Sequence, residues 1–155
     1  MGGLNVNPTY CVDEVLNKSI ENFQMLILCG GDNWKKEKYE NKLVKKLVNM
    51  FKENDKTISA ICDATTFLAF NEYLNEIDHT GNSVEYIISN CPNYTGEKNY
   101  IEKQCVRTDA FITANGTATI EFSREIMKSL ELKIEEEIDN WYKFNKNGFY
   151  NDTEE

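Results

Sequence analysis

Residues 57–69 read TISAICDATTFLA. The opening TISAI is β-branched or small throughout, which suits a strand covered on both faces of a sheet. Past Cys62-Asp63 the pattern changes: Ala64, Phe67, Leu68, Ala69, Phe70 and Leu74 leave no continuous polar face, so 64–74 is predicted as a helix enclosed on all sides. A buried strand that turns within two residues into a buried helix is the repeating unit of an α/β fold with a layered, mostly parallel sheet.

The flanking sequence continues the alternation. Upstream, 24–29 (QMLILC) is a nearly unbroken apolar run stopped by Gly30-Gly31, a second covered strand. Asp32 or Asn33 can cap the next helix, where Tyr39, Leu43, Leu47 and Phe51 recur every four residues beside Val44 and Val48, predicting one amphipathic helix over roughly 34–54. Downstream, 84–88 fits a helical turn and a strand alike, and 91–96 (CPNYTG) reads as a loop. Two short β-type segments flank Asp109-Ala110 within 106–113, and Thr117 or Thr119 opens a helix with Ile120, Ile126, Met127 and Leu130 inward. A last helix carries Ile134, Ile138, Trp141 and Tyr142, and 150–155 is expected to fray from a single domain spanning 1–149.

Composition narrows the function. With 17 Lys and Arg against 26 Asp and Glu the net charge is −9, the wrong sign for a surface that neutralises phosphates, so nucleic acid is not an expected partner. Six of those bases, Lys35, Lys36, Lys38, Lys42, Lys45 and Lys46, alternate with apolar positions as the wet side of a helix does. No apolar run approaches the ~20 residues of a spanning helix, and the amino terminus lacks a basic segment followed by a hydrophobic one, so no membrane role or export is expected. The five cysteines are odd in number and include no C-x-x-C pair; free thiols in a cytoplasm are expected, with no disulfide framework, no metal site and no organic cofactor.

Open α/β sheets bind ligands beyond the carboxyl ends of their strands. The segments ending there are 29–32 (CGGD), 62–64 (CDA) and 113–117 (TANGT), which makes Gly30, Gly31, Cys62, Asp63, Asn115 and Gly116 candidates for one pocket. Cys62 stands at the strand-to-helix junction, the place of a nucleophile elbow. A thiol there meets unpaired amide protons and the positive end of a helix dipole, surroundings that favour thiolate, the reactive form. The Asp63 and Gly31 amides are candidate oxyanion donors. The Asp63 carboxylate suits the dipole and at the same time opposes a second negative charge beside it, so its net effect stays open.

The segments 25–34 (MLILCGGDNW), 58–69 (ISAICDATTFLA) and 109–126 (DAFITANGTATIEFSREI) resemble the three signature regions of the ThiJ/PfpI family, within the class I glutamine-amidotransferase-like superfamily. The tail 134–149 (IEEEIDNWYKFNKNGF) resembles a bacterial branch described as intracellular proteases or amidases. This resemblance implies a flavodoxin-like three-layer α/β/α sandwich, Cys62 as the elbow cysteine, and assembly as a homodimer or larger homo-oligomer. Activities of that family include peptidase, amidase and glyoxalase or deglycase chemistry, stress chaperoning and redox sensing.

The same resemblance exposes two departures. The family's first strand–helix unit, with the Glu that hydrogen-bonds the cysteine, has no counterpart: 1–8 (MGGLNVNP) resembles the close of the second unit, and Glu14 and Glu21 stand in the wrong segment. An N-terminally truncated sheet is therefore expected, with strand edges exposed. The His that directly follows the cysteine in some members is replaced by Asp63. The lone histidine, His79, lies in 78–82 (DHTGN), where other members have a pocket His, and is the candidate acid and base. The expected function is a cysteine-dependent hydrolase, amidase or glyoxalase-type enzyme acting on a small carbonyl, amide or peptide substrate; the alternative is a non-catalytic redox sensor, chaperone-like protein or inactive member.

Overall fold

Strand and helix signals alternate along the chain, and the computed structural model, which describes residues 5–149, repeats that alternation. Its elements are α1 (Val12–Leu16), β1 (Met25–Leu28), α2 (Asn33–Lys36), α3 (Lys42–Lys52), β2 (Thr57–Ile61), α4 (Asp63–Phe70), α5 (Val84–Asn90), β3 (Cys105–Arg107), β4 (Phe111–Ala114), α6 (Thr119–Ser129) and α7 (Glu135–Asn147). The tail expected to fray, 150–155, lies outside the described residues.

The four strands form one sheet in the order β1-β2-β4-β3. β1, β2 and β4 run parallel, with Leu26, Ile58 and Phe111 in register across them. β3 returns antiparallel beside β4, pairing Val106 with Thr113. The Thr108 hydroxyl accepts from the Phe111 N–H at 3.0 Å and braces that hairpin. β2 is central, which explains its run of β-branched and small residues: Ile58, Ser59 and Ala60 are all buried, and the Ser59 hydroxyl is satisfied by donating to the Leu26 carbonyl at 3.1 Å.

Helices cover both faces, giving three layers. One core gathers Leu28, Val48, Phe51, Ile58, Phe67 and Leu68 around α3 and α4; the other gathers Ile112, Ala114, Ala118 and Phe122 under α6. Truncating a fully enclosed side chain such as Phe67 to Ala costs about 3–5 kcal/mol. α7 lies against α6, where Asp139 receives Arg124 at 2.7 Å and Lys128 at 3.0 Å, and Glu121 receives Lys146 at 2.6 Å. At the opposite end of the sheet, β1 has no strand on its outer side among the described residues, and the run expected to be covered on both faces is not: Leu28 is buried but Ile27 is 46% exposed. No helix of the described residues is long and apolar enough to cross a membrane.

Two predicted helices are shorter than their sequence patterns. The helix expected over 34–54 is two, separated by Lys38 and Tyr39 at φ 52° and 59°; α3 starts afresh with the Asn41 side chain accepting from the Val44 N–H at 3.0 Å. Tyr39 matches the four-residue spacing and yet leaves the helix, because its ring is buried against α4. The six lysines are exposed as expected, though spread over α2, the turn and α3. The helix expected over 64–74 ends at Phe70: the Asn71 side chain donates to the Phe67 carbonyl at 2.9 Å and Glu72 turns left-handed at φ 67°.

Candidate active site around Cys62

β2 runs straight into α4, and the residue between them bears the turn. Cys62 has φ 59° and ψ −130°, a conformation rare for any residue with a side chain, and is the N-cap of α4. Its backbone is held from both sides. The Cys62 N–H donates to the Ala114 carbonyl at the end of β4 at 2.9 Å, and its own carbonyl accepts from the Thr65 N–H at 3.0 Å and the Thr65 hydroxyl at 2.6 Å. The thiol stands half-buried at the carboxyl end of the sheet.

Two glycines leave room for it. A Cβ on Gly30 would lie 2.7 Å from the Cys62 Cβ and 3.1 Å from the Ile61 carbonyl oxygen; a Cβ on Gly116 would lie 3.0 Å from the Cys62 sulfur. Gly30 lies just past β1 and Gly116 just past β4, so both neighbours of β2 end near a residue without a side chain where the sulfur sits. Next to Gly116 is Asn82. Its Nδ2 faces the Cys62 Sγ at 3.7 Å, while its Oδ1 accepts from the Gly116 N–H at 2.9 Å.

Comparison with known proteins agrees with this frame: the profile of the DJ-1/PfpI family matches residues 1–129. The chain belongs to the DJ-1/PfpI family. It is 36% identical over 146 residues to the uncharacterized protease YoaZ of Bacillus subtilis (strain 168), covering 94% of this chain and 67% of that one. Among solved structures, the DJ-1 superfamily protein Atu0886 from Agrobacterium tumefaciens superposes with a TM-score of 0.76 at 30% identity, over 94% of this chain and 75% of that one. The thiJ/pfpI family protein from Bacillus anthracis gives 0.70 at 33% identity over 79% of this chain; the match spans 57% of the Bacillus anthracis chain. The sheet flanked by helices is thus the flavodoxin-like fold of the DJ-1/PfpI family.

The remaining candidate residues take varied places in this DJ-1/PfpI frame. Asp63 is 7% exposed, both carboxylate oxygens accepting from the Tyr39 hydroxyl at 3.1 and 3.2 Å. Its N–H, at the first position of α4, has no helical carbonyl to bond. Gly31 faces open space and, with Cys29, Gly30 and Trp34, lines a cavity of about 580 Å³. Asn115 braces its loop, its side chain donating to the Gln104 Oε1 and accepting from the Thr117 N–H at 3.0 Å.

The structure does not bring His79 to the sulfur. It is fully buried: Nδ1 donates to the Ile77 carbonyl at 2.7 Å, which leaves Nε2 to accept from the Tyr94 hydroxyl at 2.7 Å. Burial holds its pKa below the ordinary value, with the Ile77 carbonyl and Asp78 opposing in part. A polar sequence neighbourhood suggests an open loop, but the imidazole is enclosed edge-on by Tyr94 and Tyr100.

Asn82 is not among the residues the sequence singles out; an asparagine in a polar loop carries no local signal. It also lines, with Ser83, Lys103, Gln104 and Asn115, a polar cavity of about 330 Å³ beside the site. Among the described residues no group of three or more His, Cys, Asp or Glu is placed to hold a metal ion.

Proposed function

We propose that the chain is a cysteine-dependent hydrolase or amidase, or a glyoxalase-type enzyme, acting on a small carbonyl, amide or peptide substrate through Cys62. The observation that carries this reading is the elbow itself, a half-buried thiol on a left-handed backbone at a helix start, cleared by Gly30 and Gly116. The name of its relative YoaZ, an uncharacterized protease, points the same way. In this reading the Cys62 thiol gives its proton to water and the sulfur forms a bond to the carbonyl carbon while the C=O π pair moves to oxygen, where the Asp63 and Gly31 N–H groups receive it. With an amide, return of that pair breaks the C–N bond, the amine leaves with a proton from water, and water then hydrolyses the thioester. Asn82 holds the sulfur on its line of attack. The cavity lined by Asn82, Gln104 and Asn115 takes the rest of the substrate. His79, with both ring nitrogens engaged, serves by fixing the loop that carries Asn82. The test is turnover of methylglyoxal and of peptide amides by wild type and Cys62→Ala. Loss of turnover in the variant supports the reading, and activity that survives it overturns it.

One observation favours a second reading. The group facing the sulfur is a carboxamide, which neither takes nor gives a proton as a histidine or glutamate does. We propose as the alternative a redox sensor, in which hydrogen peroxide converts the Cys62 thiol to sulfenic acid with release of water. A gain of one oxygen on the Cys62 peptide at micromolar peroxide, with no turnover of either substrate, selects it. We further propose a cytoplasmic homo-oligomer, supported by five free cysteines and by the outer edge of β1, which no strand pairs among the described residues; light scattering that finds a monomer removes the oligomer.

A further inference from the structure

Tyr39 is held in an unusual way. It is the second of two consecutive left-handed residues, neither of them glycine, and it is only 3% exposed. Every part of it is engaged: its N–H donates to the Trp34 carbonyl at 2.9 Å, its carbonyl accepts from the Asn71 side chain at 3.2 Å, and its ring lies 6.0 Å from that of Phe70. A strained turn fixed at so many points places one atom, the phenolic oxygen, where it bonds both Asp63 carboxylate oxygens and lies 3.1 Å from the Tyr86 hydroxyl.

That oxygen joins the two sides of the sulfur. Asp63 comes directly after Cys62, so anchoring its carboxylate anchors the elbow. Tyr86 is in the first turns of α5, whose N-cap, Ser83, comes straight after Asn82. We infer that Tyr39 is a positioning residue for Cys62: its hydroxyl holds the Asp63 carboxylate and ties α5, with the Asn82 loop, to the elbow. This rests on the reading of Cys62 as a reactive thiol. Tyr86 meets the Tyr39 hydroxyl, and the buried thiol of Cys91 feels the carboxylate: burial and the Asp63 charge push its pKa up to about 12. With the Tyr39 hydroxyl gone, Asp63 loses its donor and the carboxylate becomes free to turn toward the sulfur, opposing negative charge there.

The experiment is iodoacetamide labelling at pH 7, read peptide by peptide by mass spectrometry, with the exposed Cys29 as internal reference. Tyr39→Phe keeps the ring and deletes the hydroxyl. It is expected to slow Cys62 labelling about tenfold relative to Cys29, a change equivalent to about 1.4 kcal/mol. Adding Asp63→Asn to Tyr39→Phe is expected to restore most of that rate, because an amide has no charge to bring to the sulfur. Packing loss alone does not recover in the double variant. A Tyr39→Phe protein that labels at the wild-type rate, or a double variant as slow as the single one, overturns the inference. Where Tyr39→Phe fails to fold, Tyr86→Phe tests the same oxygen from its other side: slower labelling supports the inference and a wild-type rate overturns it. If wild-type Cys62 labels no faster than Cys29, the reactive thiol itself is lost and this inference goes with it.

Discussion

The Asn82 carboxamide bridges the Cys62 sulfur and the backbone just past β4, with Nδ2 at 3.7 Å from Sγ and Oδ1 at 2.9 Å from the Gly116 N–H. One side chain thereby sets both the position of the thiol and the path of the loop over it. Asn82→Ala is expected to cut turnover or Cys62 labelling about tenfold, the worth of one well-placed hydrogen bond near the upper end of its range. Asn82→Asp keeps the acceptor for Gly116 but brings a negative charge to the sulfur, and is expected to be slower still. Paired rate measurements on the two variants check the order.

The two crowded glycines should separate stability from reactivity. An alanine Cβ at Gly30 meets the Ile61 backbone oxygen and the Cys62 Cβ, neither at the end of a flexible chain, so Gly30→Ala is expected to destabilise the fold by about 1–3 kcal/mol. Gly116→Ala instead presses on the sulfur and on the Asn82 Oδ1 at 3.3 Å, both movable. It is expected to spare most of the melting temperature and to lose at least tenfold in labelling rate. Thermal melts and labelling on the same samples test the contrast.

Much of this site is legible in the chain, and the reasons are local. TISAI and the run after Cys62 state their burial in their own composition, so the strand–elbow–helix geometry and the glycines beside it can be read from neighbouring residues; QMLILC has the same composition, yet only its Leu28 is buried. Residues tied to distant segments are not legible. Tyr39 fits a helical stripe by spacing, and nothing in Lys38-Tyr39 announces a left-handed turn; only contact with Phe70, Asn71 and Asp63 forces it. Asn41, the cap of the second helix, is the one local sign of the break. His79 is enclosed by Tyr94 and Tyr100, fifteen and twenty-one residues on, which its polar neighbours give no hint of.

The buried thiol of Cys91 and the half-buried one of Cys105 should behave unlike Cys62. Burial pushes Cys91 up to about 12, helped by Asp63, and Cys105 up to about 12, helped by Glu125 and Glu121. At pH 7–8 both are expected to resist iodoacetamide in the native protein and to label fully in 6 M guanidinium, while Cys11 and Cys29 label in either condition. Peptide-resolved alkylation gives the answer directly.

His79 makes stability depend on pH in a defined direction. Burial lowers its pKa in the folded chain, so below about pH 6.5, the ordinary value, the unfolded chain takes up a proton that the folded chain refuses. Its contribution is complete above pH 6.5 and is lost as pH falls toward the lowered folded value. Between pH 7 and pH 5 the wild-type melting temperature is expected to fall more steeply than that of His79→Gln, whose side chain has nothing to titrate. Equal slopes would remove histidine from the acid response.

Cys62 holds a backbone shape that glycine adopts freely and any other residue adopts under protest, at about 1–3 kcal/mol. At about 2–4 °C per kcal/mol for a chain of this size, Cys62→Gly should therefore melt roughly 2–12 °C above wild type while being chemically inert. Durability and chemistry pull opposite ways at this one position, and a lineage drifting without selection for the thiol would be expected to settle on glycine.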